Sequence, residues 1–64
     1  MYGVICIGPD GKYIRATSKP FPTAEDGRTY TETIDKSREP IMVPNHLVEL
    51  AIQYNNERLK KESK

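Results

Sequence analysis

The stretch Tyr2-Gly3-Val4-Ile5-Cys6-Ile7-Gly8-Pro9-Asp10-Gly11-Lys12-Tyr13-Ile14-Arg15-Ala16-Thr17 organises this chain. Its first half is rich in β-branched and aromatic residues, as strands are. Gly8-Pro9-Asp10-Gly11 is a turn signal. Proline sets φ at the first central position, aspartate tolerates the next, and glycine supplies the left-handed residue. The pattern predicts a three-residue loop, a type I turn closed by a glycine bulge, within a hairpin over residues 2–17. Register follows from the turn: Gly8 faces Lys12, Ile7 faces Tyr13, Cys6 faces Ile14, Ile5 faces Arg15 and Val4 faces Ala16. One side then carries Tyr2, Val4, Cys6, Ile14 and Ala16, and the other carries Ile5, Ile7, Tyr13 and Arg15. A solvated antiparallel face alternates cleanly to polar residues. Neither side does so, and both are expected to be at least partly covered.

Beyond the hairpin, residues 18–28 read as a loop in which Pro20 and Pro22 hold the chain extended around Phe21. Thr23-Ala24-Glu25-Asp26 has the spacing of a capping box, but Gly27 is expected to stop a helix after about one turn. Thr29 to Ile34 alternates threonine with Tyr30, Glu32 and Ile34 and reads as a third strand, 29–34. A short strand at 41–43 lies between Pro40 and Pro44, which remove ladder donors and place it at an edge. Pro44 suits the first position of a helix, expected to run over 44–61. Leu47, Val48, Ala51, Ile52 and Leu59 recur at helical spacing. The expected fold is α+β: a small antiparallel sheet of three to four strands, hairpin first, packed on one C-terminal helix. The expected core is Val4, Cys6, Ile14, Ala16, Phe21, Ile34, Val43, Leu47, Val48, Ala51, Ile52 and Leu59.

The chain has 64 residues, enough for one domain near the lower limit of independent folding. Leu, Ile, Val and Phe number 13 of the 64, about a fifth, a level at the edge of the disordered class. Those chains also carry high net charge, and this one carries +1, so a folded but lean domain is expected. One cysteine excludes an internal disulfide framework. With one histidine beside it, a four-ligand zinc site within one chain is excluded too. The longest apolar run, Val4 to Ile7, is far short of a membrane span. No basic segment precedes an apolar stretch at the N-terminus, so no signal peptide is expected. The expected location is cytoplasmic, with no membrane partner.

Few residues carry chemistry. Cys6 and His46 are the only thiol and imidazole, and nothing in their spacing brings them within hydrogen-bonding reach. The acids Glu25, Asp26, Glu32, Asp35 and Glu39 are interspersed with Arg28, Lys36 and Arg38, as on a solvated charged edge. Gly8 and Gly11 belong to a hairpin turn with no helix following, so they form no phosphate cradle. No cofactor, metal or small-molecule substrate is expected, and no enzymatic activity.

Contact surfaces are the better expectation. On a helical wheel Leu50 and Tyr54 widen the C-terminal apolar arc to roughly 200°, where one sheet needs only about 100°. This helix edge, Leu50 and Tyr54, and the apolar hairpin face of Ile5, Ile7 and Tyr13 supply the candidate partner-surface residues. Arg58, Lys60, Lys61 and Lys64 crowd the C-terminus and are candidates for contacts to phosphate or to an acidic protein surface. Glu39 to Ala51 resembles the strand-then-first-helix opening of ribbon-helix-helix DNA-binding proteins. The likeness covers under a third of the chain. That family builds its dimer with a second helix and reads bases with alternating polar strand residues, which Ile41, Met42 and Val43 lack, so no role is carried over from it. The expected function is a small non-enzymatic protein-interaction module, an accessory or inhibitory protein of bacterial or viral type, acting as a homodimer or bound to a larger protein. The alternative is a nucleic-acid-associated protein using the basic helix end.

Overall fold

In the computed structural model, which describes residues 1–62, the hairpin forms in the register its turn dictates. Strand β1 (Tyr2–Ile7) pairs with β2 (Tyr13–Arg15), placing Ile5 opposite Arg15, Cys6 opposite Ile14 and Ile7 opposite Tyr13. The Gly11 N–H donates to the Gly8 carbonyl at 3.0 Å, and Gly11 takes a φ of 84°, the left-handed position that glycine occupies without strain. Strand β3 (Ile41–Pro44) pairs antiparallel with the other side of β1, giving the order β2-β1-β3. Helices α1 (Ala24–Thr31) and α2 (Val48–Glu62) complete an α+β fold, with 3₁₀ turns at Lys36–Arg38 and Asn45–Leu47.

The expected strand at 29–34 is instead the end of α1 and the turn after it. Local polar chemistry outweighs the β-like alternation there. Thr23 caps the helix, its hydroxyl accepting from the Asp26 N–H at 3.1 Å, and Glu25 and Asp26 sit at the positive end of the helix dipole. The Thr31 and Thr33 hydroxyls donate to the carbonyls of Arg28 and Tyr30, at 2.6 and 2.7 Å, so threonines that mimic a strand serve a helix end. Gly27 does not stop the helix. It is buried, and a Cβ there would lie 2.6 Å from the Met42 sulfur, so its bare backbone lets α1 lie close on the sheet. Phe21, just ahead of α1, exchanges both backbone hydrogen bonds with Tyr2 (2.8 and 2.7 Å) and packs its ring 5.2 Å from that of Tyr30.

The helices cover opposite faces. Pairing of Val4 with Met42 puts Tyr2, Val4 and Met42 on the face that α1 meets through Gly27. Gly3, Ile5, Ile41 and Val43 share the other face with Tyr13, and there α2 packs through Val48. A Cβ on Gly3 would lie 2.6 Å from Val48 Cγ2, which shows how closely α2 approaches. Ile5, Tyr13 and Val48 form the packed centre, with Ile7, Ile41, Val43, Ala51, Ile52 and Leu59 around them. Val4 and Cys6 are buried as expected, but Ile14 is 40% exposed and Leu47 39%. The expected core had α2 on the Val4 side. The register of β3 reverses that, because it adds Ile41 and Val43 to the Ile5 side and makes that side the larger apolar face.

Candidate functional site

Both free edges of the sheet disfavour a further strand. Tyr2, Val4 and Gly8 turn their backbone groups towards Phe21 and β2: Ala16 donates to Val4 at 2.8 Å and Gly8 to Lys12 at 2.7 Å. Alternation turns Gly3 and Ile5 towards β3. Ile41 and Val43 thus face inward, and Pro40, Met42 and Pro44 face outward. Two of those three outward positions lack an N–H. On the β2 edge the outward N–H of Tyr13 donates to Asn56 Oδ1 of α2 at 2.7 Å, so a side chain occupies the place another strand needs.

What remains open is the outer face of α2. Its inner side is set by Val48, Ala51, Ile52, Asn55 and Leu59, all buried or half-buried. Leu47, in the 3₁₀ turn just before the helix, is followed by Leu50 and Tyr54, which lie one turn apart within about 40° of arc. They are 39%, 63% and 69% exposed. Leu50 and Tyr54 also line an open groove of about 600 Å³ with Gln53, Asn56 and Glu57. At Asn56 and Glu57 it meets a second groove, of about 650 Å³, reaching the hairpin turn at Asp10–Lys12.

Of the expected partner-surface residues, Leu50 and Tyr54 lie at the surface together. Ile5 and Tyr13 do not: both are fully buried beneath α2, and Ile7 is half-buried. Tyr13 joins three elements. Its hydroxyl donates to the Glu39 carbonyl at 3.1 Å while its N–H is held by Asn56. Burial pushes its phenol above the usual value, the Glu39 carboxylate adds to this, and Arg58 opposes it. Glu39 itself is a non-glycine residue at φ 48°. It is held there by the Tyr13 hydroxyl and by its own N–H, which donates to Lys36 at 3.0 Å.

The basic end is not one cluster. Arg58 turns inward, donating to Asn55 Oδ1 and to Glu62, each at 3.2 Å, with Glu39 at 4.0 Å. Lys60 lines the groove at the hairpin turn, Lys61 is exposed, and Lys64 lies outside the described residues. Cys6 is buried in the central strand, away from reagents in solvent, while His46 is exposed in the turn before α2. Among the described residues no three His, Cys, Asp or Glu side chains converge to hold a metal ion, and no helix is long and apolar enough to cross a membrane.

The expected core included Leu47, which instead lies partly exposed in the 3₁₀ turn before α2, because the helical spacing was read back past the true start of the helix. The role of Asn56 has no sequence signal, since it depends on how α2 lies against β2. Comparison with protein-family models, with curated proteins and with solved structures finds no match to this chain.

Proposed function

We propose that this chain is a small, non-enzymatic accessory protein that works by binding another protein through the outer face of α2. The observation that carries this reading is the exposure of Leu50 and Tyr54, 63% and 69%, one helical turn apart on a chain with so few large apolar residues. Contiguous exposed apolar patches mark contact sites. Anchors at steps of three and four residues are how a helix enters an apolar surface. The sheet edges support the same route: prolines on β3 and Asn56 on β2 disfavour binding by strand addition, which leaves the helix as the means of contact. The inward engagement of Arg58 gives the nucleic-acid alternative no added support.

Affinity capture from a native lysate, comparing the natural chain with Leu50→Glu and Tyr54→Glu, tests the proposal. Each variant is expected to lose at least about tenfold of the captured protein, since a hot-spot anchor carries 2 kcal/mol or more. The same captured set at the same level in all three samples overturns it, as does capture abolished by nuclease.

A further inference from the structure

The chain holds two Asp-Gly pairs, Asp10-Gly11 in the hairpin turn and Asp26-Gly27 in α1. A glycine that follows an aspartate carries no Cβ to shield its amide nitrogen from the neighbouring carboxyl. We propose that the fold leaves the first pair open to backbone isomerisation and protects the second, which makes Asp10 a site of spontaneous covalent modification to isoaspartate.

In this step the Gly11 nitrogen attacks Cγ of the neutral Asp10 carboxyl. A C–N bond forms, the amide proton and the carboxyl hydroxyl leave together as water, and a five-membered succinimide closes. Water then opens the ring. Attack at the backbone carbonyl carbon gives isoaspartate, with the chain running through Cβ, and attack at the side-chain carbon restores aspartate. Either route brings in one oxygen from solvent and uses no reactant besides water. Isoaspartate at this position adds a backbone atom to the three-residue loop that sets the register of β1 and β2.

Asp10 and Gly11 are both exposed, and a Cβ built on Gly11 meets nothing within 4 Å, so there is room for the ring. The Lys12 N–H donates to Asp10 Oδ1 at 3.1 Å. That bond spans Gly11 and holds the carboxyl folded forward along the chain, towards the nitrogen that attacks it. Ring closure releases the hydrogen bond from the Gly11 N–H to the Gly8 carbonyl, 3.0 Å long, in a solvent-facing turn where local opening costs little. Asp26 is placed differently. Its N–H donates to the Thr23 hydroxyl at 3.1 Å, and the Gly27 N–H to the Thr23 carbonyl at 3.3 Å, in the first turn of α1. Gly27 is buried, and the Met42 sulfur lies 2.6 Å from where its Cβ would stand. Cyclisation there takes ψ of Asp26 out of the helical range, so it waits on an opening that unpacks α1 from the sheet.

Incubation of the full chain at mildly acidic pH in water enriched in heavy oxygen, followed by peptide mass spectrometry, reads this directly. Residue 10 is expected to take up solvent oxygen at least about tenfold faster than residue 26. Isoaspartate is expected in the same peptide, detected by methyl transfer from S-adenosylmethionine with an isoaspartate methyltransferase. The chain in urea is the reference, where both pairs are expected to label at similar rates because α1 no longer protects Gly27. Transient global unfolding exposes both pairs alike, so a difference between them in the folded chain reports local structure. Asp10→Glu, whose side chain must close a larger ring, is expected to lose label and methyl acceptance at position 10 with unchanged circular dichroism. Asp10→Asn reaches the same succinimide with ammonia as the leaving group, and is expected to accumulate isoaspartate faster than the natural chain. A smaller ratio between residues 10 and 26 in the folded chain overturns the proposal. So does label at residue 10 without isoaspartate, or a residue 10 that stays unlabelled while the urea sample converts.

Discussion

Gly3 and Gly27 both sit where a Cβ would come within 2.6 Å of a side chain, but the two neighbours differ. Gly3 faces Val48, fully buried and β-branched, which has one comfortable rotamer in a helix and nowhere to move. Gly27 faces the sulfur of Met42, the far part of a flexible side chain that adapts to gaps. Gly3→Ala is therefore expected to cost about 1–3 kcal/mol by overpacking. Gly27→Ala is expected to be near neutral, because alanine regains up to about 1 kcal/mol of helix propensity against the repacking of Met42. Urea midpoints at constant m-value separate the two; equal losses overturn the account. Neither outcome is legible in the sequence. Gly27 looks like a helix stop until the sheet beneath it is known, and Gly3 looks like an ordinary strand residue.

Among the elements, the hairpin was fully legible because its information is local: Pro9, Asp10 and Gly11 choose the turn, and the turn chooses every pair up to Val4 and Ala16. The segment 29–34 was not. Its alternating threonines carry a strand's period, and the features that make it helical lie elsewhere, in the cap at Thr23 and the close approach at Gly27. The face taken by α2 was also hidden, since it turns on the pairing of β3 with β1, a contact made across some forty residues. At this scale Asn56 is the residue to test. Asn56→Ala leaves the Tyr13 N–H without its side-chain acceptor and is expected to cost about 1 kcal/mol. It should also speed hydrogen exchange at Tyr13 well beyond that at Ile5. An unchanged Tyr13 exchange rate sinks the role given to Asn56.

For the whole molecule, Tyr13 ties stability to alkaline pH. Its phenol sits above the ordinary 10.0 because burial, then the Glu39 charge, disfavours the phenolate. A group whose folded value is raised stabilises the fold below its unfolded value and loses that contribution as pH rises through the folded one. Unfolding free energy is therefore expected to fall above pH 10. Tyr13→Phe, at a cost of about 1 kcal/mol for the lost hydrogen bond, flattens that limb; an unaltered limb means another group sets it. The candidate site was half legible at this scale. An apolar arc of roughly 200° on a helix that needs about 100° pointed to Leu50 and Tyr54. The separate argument from the apolar hairpin face failed for Ile5, Ile7 and Tyr13, because α2 covers that face.

Pro40 and Pro44 shape what crowds of these molecules can build. An open-ended fibril grows only if each newcomer leaves a fresh rim for the next, and a proline-lined margin on one side with an amide plug on the other offers the first recruit few donors to pair with. Aggregation by stacked ribbons is thereby disfavoured at both margins.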